Sequence, residues 1–145
     1  ILQKPPMYSA LKIKGRKLYE YARQGITLDI QPRPVRIEKL EIEEIDLKRK
    51  EVVFDVTCSK GTYIRSLCRD MGEKLGCGAV MSGLTRTVSG AFSLERSLQP
   101  EEVKQMSPEE IEAYLLPVDY PLIHFGKCTM PKDRALYFAS GNSIR

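Results

Sequence analysis

The stretch from Cys58 to Cys77, CSKGTYIRSLCRDMGEKLGC, constrains the fold more than any other part of the sequence. Alternating apolar residues lead into it at Val52, Phe54 and Val56, which predicts a strand with one buried face. After a polar turn, apolar residues recur with the spacing of an amphipathic helix. These residues are Ile64, Leu67, Cys68, Met71 and Leu75. The sequence therefore predicts a strand, a Ser-Lys-Gly-Thr turn and a helix in direct succession.

This turn has the composition of a binding site. Lys60 supplies a positive charge, and we expect backbone N–H groups at the helix start to point outward, beside Tyr63 and Arg65. Such an arrangement suits a ligand that carries a phosphate and a flat ring. The same residues are also typical of a tyrosine at the edge of a core and an arginine in a surface ion pair. The turn is too short for a Walker A loop, so the sequence does not support triphosphate hydrolysis.

The neighbouring patterns predict an α+β fold with a mixed, largely antiparallel sheet and flanking helices. Alternation over 26–30 predicts a strand, and a change of phase between Ile37 and Leu40 predicts a bulge. The charged segment 48–51 predicts the turn of an antiparallel hairpin. Helices are expected over 16–24, from Pro100, from Ser107 and from Pro131. Strands are expected over 79–92, with a bend, and between residue 122 and the Pro131 helix.

Positive charge is concentrated near the start of a chain whose net charge is only +4. Residues 1–23 contain one acid, Glu20, among six basic residues. The basic residues are Lys4, Lys12, Lys14, Arg16, Lys17 and Arg23. Basic residues interleaved with an aromatic such as Tyr8 are typical of a nucleic-acid groove, and they are equally typical of a solvated edge strand.

The sequence does not support a metal site, a Ser/His/Asp catalytic set or a membrane span. The four cysteines lack C-x-x-C spacing and the only histidine is His124, which predicts no zinc site and no metal. We expect His124 to be structural, and no Ser/His/Asp set is evident. No apolar run approaches the roughly 20 residues of a membrane span. These patterns predict a cytoplasmic, metal-free protein.

Three blocks of the sequence resemble one family. KPPMYSALKIKGRKLYEYARQG, CSKGTYIRSLCRDMGEKLGCGA and GLTRT are similar to the bacterial tRNA pseudouridine synthase B (TruB-type) family, in its order and spacing. The resemblance implies an RNA-modifying isomerase that converts the T-loop uridine of tRNA to pseudouridine without a cofactor. It implies the T arm of tRNA as the partner, with the target base flipped into the pocket.

The resemblance also implies roles for particular residues. Tyr63 in GTYIR resembles the family's active-site tyrosine, which packs on the target base and is implicated in removing a proton from it. Arg65 resembles the arginine that pairs with the catalytic aspartate. Leu84 in GLTRT resembles the leucine that lines the uracil pocket.

Further residues are expected to contact the substrate. Lys4, Tyr8 and Lys12 match the family's KPP-x-YSA-x-K block, which shapes the catalytic cleft. For Lys60 and Arg86 we infer contacts with the RNA backbone.

One family feature is missing from the sequence. The family nucleophile is an aspartate in a G-x-L-D-P-x-A-x-G motif upstream of the KPP block, and this sequence contains no such motif. We therefore expect residues 1–118 to be the C-terminal part of the catalytic domain. Residues 119–145 would be a linker and the start of a truncated, β-rich, PUA-type RNA-binding domain. We expect no activity from these residues alone, which leaves a non-catalytic RNA-binding module, or a plain structural domain with a basic edge, as alternatives.

Overall fold

The computed structural model describes residues 1–142, which belong to two units, Ile1–Leu84 and Thr85–Arg145. Helices and small antiparallel sheets alternate along the chain, which confirms the α+β class. The expected sheet is divided into four separate two-stranded ladders within the described residues.

The first unit contains the segments that position the candidate site. Strand β1 (Leu2–Gln3) pairs with β4 (Arg33–Pro34), and β2 (Lys12–Ile13) pairs with β3 (Arg16–Lys17). Helix α1 (Leu18–Arg23) follows β3 directly. The long hairpin consists of β5 (Ile37–Asp46) and β6 (Glu51–Cys58), and helix α2 (Ile64–Leu75) comes after it.

The β5–β6 hairpin confirms the predicted pair of strands. Its register is irregular between Ile37 and Lys39, where the sequence predicts a bulge, and again between Ile42 and Glu44. In the turn, the Asp46 carboxylate accepts hydrogen bonds from the N–H groups of Lys48 and Arg49 at 2.8 and 3.0 Å. This local closure explains why a highly charged segment reverses the chain.

Helix α2 carries the predicted apolar stripe. Leu67 and Cys68 are buried, and with Leu18 and Ile30 they form the buried apolar core of the described chain. Gly76 ends the helix in the left-handed conformation, with φ of 74°. Leu75 belongs to the stripe but, as the last residue of α2, is 76% exposed.

Two predicted strands are wrong. Residues 26–30 form no ladder, although Ile30 is buried, since β1 pairs with Arg33–Pro34 instead. Residues 79–87 have no regular structure. Only the end of that segment pairs, as a tight hairpin of β7 (Val88–Ser89) and β8 (Phe92–Ser93) around Gly90, whose φ is 61°.

The other regular elements described in the second unit are helices. Short 3-10 turns span Leu94–Arg96 and Tyr120–Leu122, and the helices are α3 (Pro100–Val103), α4 (Pro108–Tyr114) and α5 (Lys132–Ala139).

The capping box predicted at Ser107 is confirmed. The Ser107 hydroxyl accepts from the Glu110 N–H at 3.3 Å, and the Glu110 carboxylate accepts from the Ser107 N–H at 2.7 Å. These two bonds start α4 where the sequence places it.

The strand expected after residue 122 does not form within residues 122–142. A turn ends at Phe125, whose N–H donates to the Leu122 carbonyl at 2.9 Å, and residues 126–130 have no regular structure. The helix expected from Pro131 is present as α5.

Residues 1–142 contain no helix long and apolar enough to cross a membrane. The same residues bring together no group of three or more His, Cys, Asp or Glu side chains that could hold a metal ion.

Candidate functional site

Three segments of the first unit are hydrogen bonded to one another where β6 ends. The Ile1 amino group donates to the Val35 carbonyl at 2.8 Å, and the Val35 N–H donates to the Ile1 carbonyl at 2.9 Å. The Arg36 N–H donates to the Ser59 hydroxyl at 3.0 Å, and the Ser59 N–H donates back to the Arg36 carbonyl at 2.9 Å. This pairing fixes the start of the turn that leads to α2.

The Ser59–Thr62 turn is closed by its own residues. The Thr62 N–H and hydroxyl both donate to the Ser59 carbonyl, at 3.3 and 2.8 Å, and Gly61 takes a φ of 88°. The N–H groups of Ser59, Thr62 and Tyr63 are therefore bonded within the protein. These three N–H groups are therefore not free to hold a phosphate, and Lys60 keeps its exposed charge in this turn.

Tyr63 is held by the side chain of Gln3. The Tyr63 N–H donates to Gln3 Oε1 at 2.8 Å, and Gln3 Nε2 donates to the Tyr63 carbonyl at 3.1 Å. Tyr63 is the residue before α2, with φ −100° and ψ 108°, and its own side chain caps nothing. Gln3 is only 1% exposed, so this pair of hydrogen bonds is shielded from water.

The first turns of α2 bind residues 4–12, named here the KPP segment. Arg65 Nη2 donates to the Tyr8 carbonyl at 2.8 Å, and the Ser66 hydroxyl donates to the Lys4 carbonyl at 2.9 Å. Arg69 Nη2 reaches the same Lys4 carbonyl at 3.4 Å. The structure thus brings together Lys4, Tyr8 and Arg65 with the neighbouring Tyr63, which are residues from two separate sequence blocks.

These side chains remain accessible to a ligand. Tyr63 is half-buried, Arg65 is exposed, and Tyr8 is 60% exposed. Lys4 pairs with Asp29 at 3.1 Å, but both side chains face solvent, so the pair stabilises the fold little. Within residues 1–142, none of the ion pairs includes Arg65. The Arg65 guanidinium is thus anchored through one nitrogen to a carbonyl and faces no carboxylate among the described residues.

The other predicted site residues are all exposed. Lys12 is exposed in β2, and Lys60 is exposed in the turn before α2. Leu84 lies outside regular structure and is 60% exposed. Arg86 lies in the second unit, where it is exposed. Among the described residues, no hydrogen bond joins the side chain of Lys12 or Lys60 to Tyr63 or Arg65.

Residues 12–23, named here the basic segment, follow Tyr8 along the chain and form a basic surface. The hairpin of β2 and β3 turns at Lys14 and Gly15, with φ of 51° and 81°. On α1, Tyr19 has Lys17 and Arg23 over its ring, at 5.5 and 5.3 Å from the ring centroid. The basic segment therefore presents cations next to aromatic rings.

Sequence reasoning missed three residues that assemble the site: Gln3, Ser66 and Arg69. Ser66 is a serine inside a helix, where a hydroxyl often bonds to backbone, and this was the only available signal. Nothing in the local pattern indicates that Gln3 is buried, because its partner lies far along the chain.

Buried Cys68 supplies no reactive group to the site. Burial raises the pKa of the Cys68 thiol, and a backbone hydrogen bond lowers it by less. At neutral pH the thiol is therefore protonated and packs as a small apolar side chain.

Comparison with known proteins gives the class of this fold and site. Residues 1–64 match the family model described as TruB family pseudouridylate synthase (N terminal domain). Residues 65–123 match the model described as tRNA pseudouridylate synthase B C-terminal domain. The two matches adjoin and include every residue of the cluster around Tyr63. The chain belongs to the TruB family of pseudouridylate synthases.

The chain is also similar to individual curated proteins, each named tRNA pseudouridine synthase B. It is 51% identical to the protein of Alkaliphilus oremlandii over 142 residues, which is 98% of this chain and 46% of that protein. It is 46% identical to that of Methylobacillus flagellatus over 144 residues, or 99% of this chain and 47% of the relative. The chain thus spans just under half the length of these relatives.

Proposed function

We propose that this chain supplies the uridine-receiving part of a tRNA pseudouridine synthase that acts on the T-loop uridine. The observation that carries the proposal is the binding of the KPP segment by α2. Ser66 and Arg65 donate to the carbonyls of Lys4 and Tyr8, which gathers the family's motif residues around Tyr63. The names of the relatives support tRNA as the substrate.

The reaction moves the glycosidic bond of uridine from N1 to C5 of the ring. The bond from the sugar to N1 breaks, the bond to C5 forms, the C5 hydrogen leaves to water, and N1 takes up a proton. Atoms and electrons balance without an external reactant, so the reaction requires no cofactor. It does require extrusion of the base, which costs a few kcal/mol of stacking and pairing.

Tyr63 and Arg65 are the proposed catalytic residues. Tyr63 stacks on the extruded uracil, an interaction worth about 1–3 kcal/mol, and assists removal of the C5 proton. Arg65 pairs with the nucleophilic aspartate of the complete active site. The G-x-L-D-P-x-A-x-G motif that carries this aspartate is not present in residues 1–145. Leu84 lines the uracil pocket.

The remaining residues bind the T arm of tRNA. Lys4, Tyr8 and Lys12 shape the cleft, while Lys60 and Arg86 contact the phosphate backbone. We propose that the enzyme acts in the cytoplasm, where it meets its tRNA substrate. We also propose that residues 1–118 belong to the catalytic domain and that residues 119–145 begin a PUA-type domain.

Activity can be tested in a chimera in which residues 1–145 replace the matching stretch of the Alkaliphilus relative. Tritium release from C5-labelled uridine in tRNA reports loss of the C5 hydrogen. We expect Tyr63→Ala to abolish release because the base loses both its stacking partner and the proton-removing group. Tyr114→Ala, which removes an exposed tyrosine of α4, serves as the matched control and should retain release. Near-normal turnover by the Tyr63→Ala chimera would remove Tyr63 from the mechanism.

A second candidate function is an RNA-binding module without catalysis. The absence of an ion pair to Arg65 within residues 1–142 favours it for the chain on its own. The two functions differ in one readout, since a binding module holds tRNA but releases no tritium even in the chimera.

A further inference from the structure

We propose that Gln3 is the positioning residue for Tyr63, setting the direction in which the phenol ring meets the target uridine. The inference rests on the proposed function, because it concerns the orientation of Tyr63 toward its substrate. It concerns a residue that the family resemblance and the sequence patterns do not assign.

The geometry around Gln3 is a closed pair of hydrogen bonds. Gln3 Oε1 accepts from the Tyr63 N–H at 2.8 Å, and Gln3 Nε2 donates to the Tyr63 carbonyl at 3.1 Å. Both backbone groups of one residue are bound by one side chain, which restricts φ and ψ of Tyr63 together. Because Cβ follows the backbone, the direction of the Tyr63 side chain is restricted as well.

Gln3 is itself firmly held. Its backbone lies in β1, opposite Arg33 of β4, and the neighbouring Ile1 exchanges hydrogen bonds with Val35. At 1% exposure its amide does not exchange these bonds for water. Tyr63 is therefore tied to a sheet rather than to a free segment of chain.

The requirement for glutamine follows from the two groups that Tyr63 offers. A donor and an acceptor lie side by side, and a primary amide presents the complementary acceptor and donor on one carbon. A carboxylate would satisfy the N–H but would set a negative charge against the carbonyl oxygen. A methionine would fill similar space but leave the Tyr63 N–H without a partner, which is costly when it is buried. The Tyr63 carbonyl would keep only its bond from the Leu67 N–H, at 3.0 Å.

Other bonds between α2 and the KPP segment have a different role. Ser66, also 1% exposed, binds the Lys4 carbonyl and leaves Tyr63 untouched. Loss of the Ser66 hydroxyl loosens the same two segments without freeing the backbone of Tyr63. Ser66→Ala therefore separates general loosening from loss of tyrosine orientation.

The first test is amide hydrogen exchange at Tyr63 in the chimera. We expect Gln3→Met to accelerate exchange of the Tyr63 amide by at least tenfold, and Ser66→Ala to leave it near the unsubstituted rate. Equal acceleration in both variants, or none in Gln3→Met, would overturn the proposal. This result does not depend on turnover, so it stands even if the chimera is inactive and the proposed function fails.

The second test is the division of the effect between kcat and KM for tRNA. Misplacement of a reacting group by about 1 Å can cost roughly 10²-fold in rate, so Gln3→Met should lower kcat to that extent with KM little changed. Asp46→Ala, which removes two hydrogen bonds from the β5–β6 turn, is the control and should keep the kcat of the unsubstituted chimera.

Gln3→Glu adds a pH signature. A protonated carboxyl has the same donor and acceptor arrangement as the amide, so its activity relative to the unsubstituted chimera should rise as the pH falls. Burial raises the pKa of the introduced acid and brings this recovery toward the neutral range. Gln3→Met should show no such recovery. Two results would assign Gln3 to the structural framework alone. One is a higher KM for tRNA with unchanged kcat in Gln3→Met. The other is a relative activity of Gln3→Glu that does not change with pH.

Discussion

Burial divides the cysteines into groups of different reactivity. Cys68 is buried and the pKa of its thiol is raised by desolvation, whereas Cys77 and Cys128 are exposed. Because the thiolate is the reactive form, we expect iodoacetamide at mildly alkaline pH to label Cys77 and Cys128 well before Cys68. Peptide mass spectrometry over a time course measures the three rates. Labelling of native Cys68 as fast as Cys77 would contradict its burial.

The same pKa shift has a defined sign for stability. A thiol whose pKa is raised by folding keeps its proton longer in the folded state than in the unfolded state. Its contribution to stability is complete below the ordinary thiol pKa and is lost as the pH rises through the raised value. Cys68→Ala should weaken this alkaline loss.

At the scale of single residues, the motifs singled out residues that the structure places together, but they did not indicate the hydrogen bonds that hold these residues. Tyr63, Arg65, Lys4 and Tyr8 were singled out from their motifs, and the structure brings them together. Gln3 was not predicted, because its hydrogen bonds to Tyr63 join residues far apart in sequence. Local periodicity carries no information about such pairs.

At the scale of elements, periodicity succeeded where one segment determines its own structure. Helix α2 shows a repeated apolar spacing, and the β5–β6 hairpin is closed by its own turn. Residues 26–30 alternate as a strand should but remain unpaired, since β1 pairs with Arg33–Pro34. A strand needs a partner, and the sequence pattern does not supply one.

Gly72 offers a test of how α2 meets the loop after it. Gly72 is buried, and a Cβ built there would overlap the backbone of Gly78 and Ala79. In an exposed helix Gly→Ala stabilises by about 1 kcal/mol. Here we expect Gly72→Ala to destabilise by about 1–3 kcal/mol, since overpacking outweighs propensity.

Urea unfolding followed by circular dichroism measures the Gly72 effect. Lys74→Ala, at an exposed position of the same helix, is the control and should change stability little. Stabilisation by Gly72→Ala would show that the loop does not press on this face of α2.

The basic segment offers a test at the same scale. If Lys12 and Arg16 bind phosphates, their replacement by Ala in the chimera should weaken tRNA binding uniformly across sequences. The slope of log K against log salt concentration should become shallower by about 1 for each phosphate that is no longer neutralised. Filter binding at several salt concentrations measures the slope. Lys48→Ala in the β5–β6 turn is the control, and an unchanged slope in the Lys12 and Arg16 variants would exclude phosphate binding there.

At the scale of the whole molecule, the fold class was predictable and the completeness of the sheet was not. The residues form helices and antiparallel ladders as expected, but each ladder has two strands. Register places Leu40 opposite Val56 and Ile42 opposite Phe54 on one face of the β5–β6 hairpin, and Ile42 is 55% exposed. Two-stranded ladders are marginal alone, and the chain spans just under half of its relatives.

We infer that residues 1–145 carry the tyrosine and arginine of a pseudouridine synthase site whose carboxylate they do not supply. Tritium release from C5-labelled tRNA, compared between this chain alone and the chimera with the Alkaliphilus relative, tests it most directly. We expect release by the chimera and none by the chain alone, with both preparations folded. Turnover by the chain alone, or no release from a chimera that binds tRNA, would contradict it.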